Sequence, residues 1–195
     1  MSSRPLVGVL ALQGGFKAHA DVLRSLGADV REVRVPADLE GLDGLVLPGG
    51  ESTTMTLGIE REGLAEPLRE LARSGVPMFG TCAGLILLDR THLGLMDILA
   101  RRNAFGRQVH SFEEELHFPD LDGGPVRAVF IRAPWIEEHG DGVEILANVD
   151  GHPVAARQGE LSVIAFHPEL GADTRLHEQF LEQVRRRARG APCSR

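Results

Sequence analysis

The 195-residue chain contains no tyrosine, one tryptophan and one lysine. Without tyrosine, and with Trp135 as the single tryptophan, we expect no aromatic platform for stacking nucleic-acid bases. The two cysteines, Cys82 and Cys193, are too few for a disulfide framework. The excess of acidic over basic residues gives a net charge of −7, which argues against a general binder of phosphate backbones.

Long apolar segments are also missing, because no hydrophobic run approaches the ~18 residues that a membrane-spanning helix needs. The N-terminus shows no basic segment followed by a signal-type apolar core. We therefore expect a cytoplasmic protein that binds neither membranes nor nucleic acid. At about 100–200 residues per domain, the length favours one domain. We place that domain at residues 1–190 and a polar C-terminal tail at residues 191–195.

Short apolar runs alternate with helical spacings in the first half of the chain. Strands are predicted at Leu6–Leu12, Val30–Val35, Gly44–Leu47 and Val76–Phe79. Helices are predicted at Phe16–Leu26, from Ser52 to about Ser74 with a break near Gly63, and from Ala83 to about Asp89. Ser52 or Thr53 is the expected N-cap of the second helix. This alternation is typical of a parallel sheet with helices on both faces.

The second half of the chain has a different pattern, in which strands follow one another across turns. These strands are predicted at Arg107–Leu116, Val126–Ile131, Val143–Val149, Pro153–Arg157 and Leu161–Phe166. Some of them should pair antiparallel, because Gly, Asp and Pro turns connect them directly. A final helix is predicted at Thr174–Arg187. We expect a three-layer α/β sandwich with a mixed, mostly parallel sheet.

The segment Gly80–Gly84 (G-T-C-A-G) has the form of a nucleophile elbow with cysteine as the nucleophile. Small neighbours permit a tight strand-to-helix turn that exposes Cys82 to a substrate. The N-terminus of the following helix supplies positive potential that favours a thiolate. The alternative is a buried cysteine in a glycine-rich turn.

A base for this thiol is predicted at His167, which follows an apolar strand in the segment H-P-E. Glu169, two residues later, can turn back and hold the imidazole. An ordinary surface turn is the alternative, although the pairing with the Cys82 elbow favours catalysis. No H-E-x-x-H motif or Cys/His zinc spacing occurs, so no metal site is expected.

The third candidate element is Pro48–Ser52 (P-G-G-E-S), where two glycines follow a predicted strand. Their backbone N–H groups can form part of an oxyanion hole, for which we choose the N–H groups of Gly50 and Ala83. A plain β-turn followed by a helix cap is the alternative. No Gly-Lys-Ser/Thr sequence follows, so this is not a phosphate-binding loop.

In this order, the three elements resemble those of class I (triad-type) glutamine amidotransferases. A closer resemblance is to the family of glutaminase subunits of pyridoxal 5′-phosphate synthase. The segments that carry it are Leu12–Gly14, Pro48–Met55, Met78–Leu85, Arg102–Gln108 and Phe130–Pro134. The resemblance implies a flavodoxin-like fold and the hydrolysis of glutamine to glutamate and ammonia.

The resemblance also implies roles for individual residues. Cys82, His167 and Glu169 form the triad, and L-glutamine is held by Gly50, Glu51, Ser52, Arg102, Ile131 and Arg132. Ammonia would pass to the lyase subunit of the synthase in a hetero-oligomer. The chain itself should carry no pyridoxal phosphate, because its single lysine, Lys17, lies outside every motif. No cofactor is expected. Ala18 and the short Asp89–His92 stretch depart from many relatives.

Two alternatives remain at this point. The glutaminase subunit of imidazole glycerol phosphate synthase would share the triad but lack the R-N-A-F-G-R-Q and F-I-R-A-P segments. A non-catalytic α/β binding module would have no need to keep the cysteine, histidine and glutamate together.

Overall fold

The chain is described by a computed structural model that covers residues 4–106 and 111–190. The strands are β1 (Leu6–Leu10), β2 (Asp29–Val33), β3 (Gly44–Leu47), β4 (Met78–Thr81), β5 (Ile98–Arg101), β6 (Ser111–Leu116), β7 (Val126–Ile131), β8 (Trp135–His139), β9 (Glu144–Val149), β10 (His152–Gln158) and β11 (Leu161–Ile164). The helices are α1 (Phe16–Ser25), α2 (Ser52–Arg61), α3 (Ala65–Arg73), α4 (Ala83–Leu88) and α5 (Arg175–Ala188). Short 3₁₀ turns occupy Pro36–Leu39 and Pro168–Leu170.

Seven strands form the main sheet in the order β2-β1-β3-β4-β11-β10-β9. The first five run parallel to one another, whereas β10 pairs antiparallel with both β11 and β9. Two further pairs, β5 with β8 and β6 with β7, are antiparallel and separate from this sheet. The mixed, mostly parallel sheet with helices on both sides confirms the predicted fold class.

The central strands are buried because helices cover them on both faces. Every residue of β3 and β4 is buried, as expected for parallel strands in the middle of an α/β sandwich. Helix α5 packs on β4, where the rings of Phe180 and Phe79 stack with centroids 5.7 Å apart. This packing fixes the carboxyl end of β4, from which Cys82 follows.

The structure corrects several predicted element bounds. Strand β2 ends at Val33 rather than Val35, because the Asp38 carboxylate accepts hydrogen bonds from the N–H groups of Arg34 and Val35 and starts a 3₁₀ turn. Strands β5 and β8 were not predicted from the sequence. The apolar run in β5 is short and β8 is largely polar, and they form strands because they pair with each other across some 35 residues of chain.

Some predictions lie outside the described residues or stay open. The first four residues of the predicted strand Arg107–Leu116 are outside the described residues, and the rest form β6. The predicted tail at 191–195 is also outside them, so the domain boundary at residue 190 stays a prediction. In the described ranges, no helix has both the length and the apolar character needed to cross a membrane.

Candidate active site

Cys82 lies in the one-residue turn between β4 and α4. Its backbone has φ 50° and ψ −105°, a conformation that a residue with a side chain rarely adopts. The Cys82 N–H donates to the Ile164 carbonyl at 2.9 Å, which holds the turn against the end of β11. The strain is therefore stabilised by the sheet, and the side chain is directed away from the strand.

Glycines on either side of Cys82 allow this turn to form. A Cβ atom on Gly84 would collide with the Leu47 carbonyl oxygen of β3. A Cβ atom on Gly80 would lie 2.8 Å from the backbone of Gly84. The helix can start this close to the sheet only because both positions lack side chains, which is the steric requirement of a nucleophile elbow.

His167 follows β11 and lies close to Cys82, beside Gly49. Its N–H donates to the Val129 carbonyl of β7 at 2.9 Å, and its ring Nδ1 lies 2.8 Å from Glu169 Oε1. The 3₁₀ turn Pro168–Leu170 brings the Glu169 carboxylate back toward the imidazole. A local backbone turn thus sets the geometry of the His-Glu pair.

Cys82 and His167 meet beside Gly49. A Cβ atom on Gly49 would lie 3.2 Å from Cys82 Cβ and 2.5 Å from His167 Cε1, so Gly49 leaves space for both side chains. Burial lowers the pKa of His167, but hydrogen bonds with Cys82 and Glu169 outweigh it and raise that pKa to about 10. The imidazolium form of His167 is thus favoured beside Cys82.

Glu169 is almost completely buried and acts as an anion. Burial raises its pKa, but the contacts with His167 and His19 overcome this effect and hold the pKa well below its usual range. Its Oε2 lies 3.3 Å from His19 Nε2. The carboxylate can therefore orient the imidazole of His167 and stabilise its positive charge.

Glu51 and Arg102 form a second, exposed group of polar side chains. Arg102 donates to Glu51 Oε1 at 3.1 Å and to Thr53 Oγ1 at 3.1 Å. Hydrogen bonds from Thr54 and Thr53 lower the pKa of Glu51 to about 2. These contacts place two of the residues expected to hold glutamine next to each other.

The N-cap of α2 differs from the expectation. Glu51, and not Ser52 or Thr53, caps the helix, since its carboxylate accepts from the N–H groups of Thr53 and Thr54. A carboxylate is well suited to this place because the helix N-terminus carries positive potential. Ser52 is itself buried in the first turn of the helix.

Ile131 and Arg132 lie at the end of β7. Arg132 has φ 44°, a second strained backbone conformation in the neighbourhood of the candidate site. The N–H of Ala104 donates to the Ala133 carbonyl at 3.0 Å and so ties the Arg102 loop to this strand end. The expected glutamine-holding residues therefore belong to segments that contact one another.

The predicted oxyanion hole lies in the loop after β3 and at the start of α4. The Gly49 carbonyl accepts from the Gly15 N–H at 2.9 Å, and the Glu51 N–H donates to Gln13 Oε1 at 2.7 Å. These two bonds fix the backbone around Gly50. Ala83 is the first residue of α4, so its N–H has no partner within the helix.

His19, Thr81 and His177 were given no role from the sequence, and all three are buried. His19 contacts Glu169, Thr81 and His177. A signal was present, because His19 lies three residues after Phe16 and four before Leu23, on the apolar face of α1. His177 likewise lies three residues before Phe180 on the apolar face of α5. A histidine at a core-facing helix position needs a polar partner in the core.

Metal-ligating residues do not cluster in the part of the chain that the structure describes. In residues 4–106 and 111–190, no three His, Cys, Asp or Glu side chains could jointly hold a metal ion. The expected absence of a cofactor stays a prediction.

Comparison with known proteins gives consistent matches over nearly the whole chain. A Corynebacterium jeikeium protein named pyridoxal 5′-phosphate synthase subunit PdxT is 54% identical over 192 residues, covering 93% of this chain and 98% of that protein. A crystal structure described as a glutamine amidotransferase is 45% identical, with a TM-score of 0.85 over 91% of this chain and 98% of its own. The PurLQS structure from Thermotoga maritima shares the fold at 16% identity and a TM-score of 0.71, over 95% of this chain and 97% of its own.

A family model covers the segment that contains every candidate site residue. The model of the SNO glutamine amidotransferase family matches residues 9–186. That range includes the Cys82 turn, the His167–Glu169 pair and the Glu51–Arg102 group. The chain therefore belongs to the SNO glutamine amidotransferase family.

Proposed function

We propose that this chain is the glutaminase subunit of a pyridoxal 5′-phosphate synthase and that Cys82, His167 and Glu169 carry out the reaction. One observation carries the proposal. A strained cysteine at a strand-to-helix turn and a histidine with a buried carboxylate partner meet at the same sheet edge. Family membership identifies the reaction class, which is transfer of the glutamine amide nitrogen.

The first half of the reaction forms a thioester. The Cys82 thiolate attacks the side-chain amide carbon of glutamine, and the carbonyl oxygen becomes an oxyanion facing the N–H groups of Gly50 and Ala83. The imidazolium of His167 donates its proton to the amide nitrogen, the carbon–nitrogen bond breaks and ammonia leaves. Glu169 keeps the ring oriented and stabilises its charge until the proton has moved.

The second half of the reaction returns the enzyme to its starting state. Neutral His167 removes a proton from water, and the resulting hydroxide attacks the thioester carbon. The carbon–sulfur bond breaks, which releases glutamate and restores the thiolate–imidazolium pair. The balance is one glutamine and one water consumed, and one glutamate and one ammonia produced.

Glutamine is held by Gly50, Glu51, Ser52, Arg102, Ile131 and Arg132 in this proposal. The contacts between Arg102 and Glu51 support it, because they bring an exposed cation and an exposed anion together, two residues along the chain from Gly49, which lies beside Cys82. Such a pair is suited to a substrate that carries both an α-carboxylate and an α-amino group. Every free amino acid carries these two charges, so the pair bears on the class of substrate and not on the pathway.

The pathway is supported by the relatives. Proteins named as pyridoxal 5′-phosphate synthase subunits match 93–94% of this chain at 50–54% identity. They favour this assignment over the glutaminase subunit of imidazole glycerol phosphate synthase. We infer that ammonia passes to a lyase subunit of the synthase, in a hetero-oligomer that acts in the cytoplasm.

The test is a glutaminase assay of wild type and Cys82→Ala, each with and without a pyridoxal 5′-phosphate synthase lyase subunit. Wild type should release glutamate slowly alone and faster with the lyase subunit. Such a dependence avoids the loss of ammonia, because ammonia that is released into water becomes protonated and is no longer a nucleophile. If docking of the lyase subunit completes the oxyanion hole, kcat should rise about 10²–10³-fold. Cys82→Ala should show no turnover in either case.

Cys193→Ser provides the matched control, since it removes the other thiol of the chain. It should keep the wild-type rate, and alkylation by a glutamine-like electrophile should label Cys82 alone. Wild-type turnover by Cys82→Ala would disprove the assignment of the nucleophile. Activation by an imidazole glycerol phosphate synthase partner instead would overturn the pathway, and no turnover by wild type with any partner would favour a non-catalytic module.

A further inference from the structure

Two histidines that the proposed reaction does not use are fully buried next to it. His19 comes from α1 and His177 from α5, and neither side chain is accessible to solvent. Their rings approach to 5.1 Å between centroids, with His19 Nδ1 2.9 Å from His177 Nε2. Burying two imidazoles costs free energy unless their nitrogens find partners, so their position beside Glu169 calls for an explanation.

The second nitrogen of His19 points at the triad. His19 Nε2 lies 3.1 Å from Thr81 Oγ1 and 3.3 Å from Glu169 Oε2. Thr81 is the residue before Cys82, and Glu169 uses its other oxygen, Oε1, to bind His167. Among the described residues, Glu169 Oε2 has no well-aligned hydrogen bond, so the His19 contact is the one that offsets the burial of this oxygen.

The carboxylate determines where the protons of the two histidines lie. An ionised carboxylate only accepts hydrogen bonds, so we assign the proton of His19 to Nε2, the nitrogen that faces both Glu169 Oε2 and Thr81 Oγ1. Burial and the nearby His19 lower the pKa of His177 to about 3, which keeps His177 neutral. His177 Nε2 faces His19 Nδ1 at 2.9 Å. His177 Nδ1 has no partner among the described residues.

We propose that His19, held by His177, is a positioning residue for the triad. Its Nε2–H fixes the outer oxygen of Glu169, so that the inner oxygen stays aligned with His167 Nδ1. The proposal rests on the proposed function only in taking Cys82 and His167 as the reacting pair. His19 acts through Glu169 and touches neither glutamine nor the reacting atoms.

The decisive comparison is between two amide substitutions that imitate opposite nitrogens of the imidazole. In His19→Gln, the side-chain amide reaches the place of Nε2 and can still donate to Glu169. In His19→Asn, the amide reaches only the place of Nδ1 and leaves Glu169 Oε2 without a donor. We expect His19→Gln to keep kcat within about threefold, and His19→Asn to lose about 10–10²-fold in kcat with KM unchanged.

A second readout needs neither glutamine nor the partner subunit. In a Cys193→Ser background, the rate of Cys82 alkylation by iodoacetamide is measured against pH. Without the His19 donor, Glu169 stabilises the imidazolium of His167 less well, so the thiolate forms at higher pH. The midpoint of the alkylation profile should therefore rise in His19→Asn and stay at the wild-type value in His19→Gln.

Folding is monitored by circular dichroism and thermal unfolding of every variant. Equal kcat values and equal alkylation midpoints for the two amide variants would overturn the proposal, because the Nε2–H would then have no particular role. If His19→Asn does not fold, the alkylation midpoints of His177→Phe and His177→Gln are compared instead. His177→Gln keeps a polar group that can face His19 Nδ1, whereas His177→Phe removes it. A shifted midpoint in the phenylalanine variant alone supports the proposal, and no shift in either overturns it.

The outcome is separable from that of the proposed function. Should wild type fail to hydrolyse glutamine, the proposed function fails, whereas the alkylation profiles still report whether His19 is coupled to Cys82. If wild type is active and the His19 variants match it in both readouts, the function stands and the positioning role fails.

Discussion

Glu169 and Glu51 are two carboxylates of the same site that are kept ionised in opposite ways. Glu169 is buried, and contacts with His167 and His19 hold its pKa down against the effect of burial. Glu51 is exposed, and its pKa is lowered to about 2 by backbone and hydroxyl groups at the start of α2. The buried carboxylate depends on other titratable side chains, whereas the exposed one depends on a helix terminus.

This difference suggests that the two carboxylates affect different kinetic parameters. Interactions that exist only while charge moves in the transition state act on kcat, whereas interactions with the unreacting parts of a substrate act mainly on KM. In the proposed reaction, Glu169 contacts the base His167 directly and so belongs to the first kind. Glu51 and its partner Arg102 are proposed to hold the charged groups of glutamine and so belong to the second kind.

The largest effect is expected at the buried end of the site. His167→Asn should lower kcat by about 10⁴–10⁶-fold, and Glu169→Gln by about 10²–10⁴-fold, since the imidazole transfers protons and the acid only supports it. Steady-state glutaminase assays with the lyase subunit present measure both. His139→Asn, an exposed histidine bound to the Gly140 carbonyl, is the control and should match wild type. Near-wild-type rates for His167→Asn and Glu169→Gln would mean that the H-P-E turn has no catalytic role.

A smaller effect, on a different parameter, is expected at the exposed end. Arg102→Ala should raise KM for glutamine about tenfold and leave kcat within a few-fold, because it removes a cation that contacts bound and reacting glutamine equally. Arg101→Ala is the matched control, since its guanidinium lies over the Trp135 ring rather than on Glu51. A fall in kcat as large as that of Glu169→Gln would abolish the distinction between the two ends.

The smallest effect concerns stability and pH. Glu51→Ala removes the N-cap of α2 and should lower Tm at pH 7 by about 2–4 °C. The folded-state pKa of Glu51 lies below its ordinary value of 4.5, so its contribution is present above that pH and is lost as the pH falls toward about 2. The melting curves of wild type and variant should therefore converge in acid.

Glu62→Ala is the control for this experiment, because Glu62 lies at the opposite end of α2 and pairs only with exposed Arg61 among the described residues. It should leave Tm within about 1 °C of wild type, as expected for a surface position. A constant difference between Glu51→Ala and wild type from pH 7 to pH 3 would show that the carboxylate charge contributes nothing to capping.

Local sequence was sufficient to predict the structure wherever neighbouring residues set the backbone geometry. The spacing H-P-E places Glu169 beside His167 through one 3₁₀ turn, and G-T-C-A-G gives the strained turn at Cys82. The apolar runs of β1, β3 and β4 could be predicted because strands buried on both faces need continuous hydrophobic sequence. Family resemblance added the expected roles of Arg102, Ile131 and Arg132, which stay predictions.

Contacts between distant parts of the chain could not be found in this way. Strand β5 is short and β8 is largely polar, so neither could be predicted, and each forms a strand by pairing with the other. The missing information for these strands was the identity of the partner. The cap formed by Glu51 is local, with partners two and three residues away, and it was missed because the exact start of α2 was not known.

The sequence by itself thus identified Cys82 as the candidate nucleophile and determined the βα order that brings strand ends to one edge of a sheet. Only the tertiary structure decided that His19 and His177, 158 residues apart, meet behind Glu169. The physical reason is that a turn or a buried strand is specified by adjacent residues and their solvation. A buried polar contact between two helices depends instead on how both pack against the same sheet.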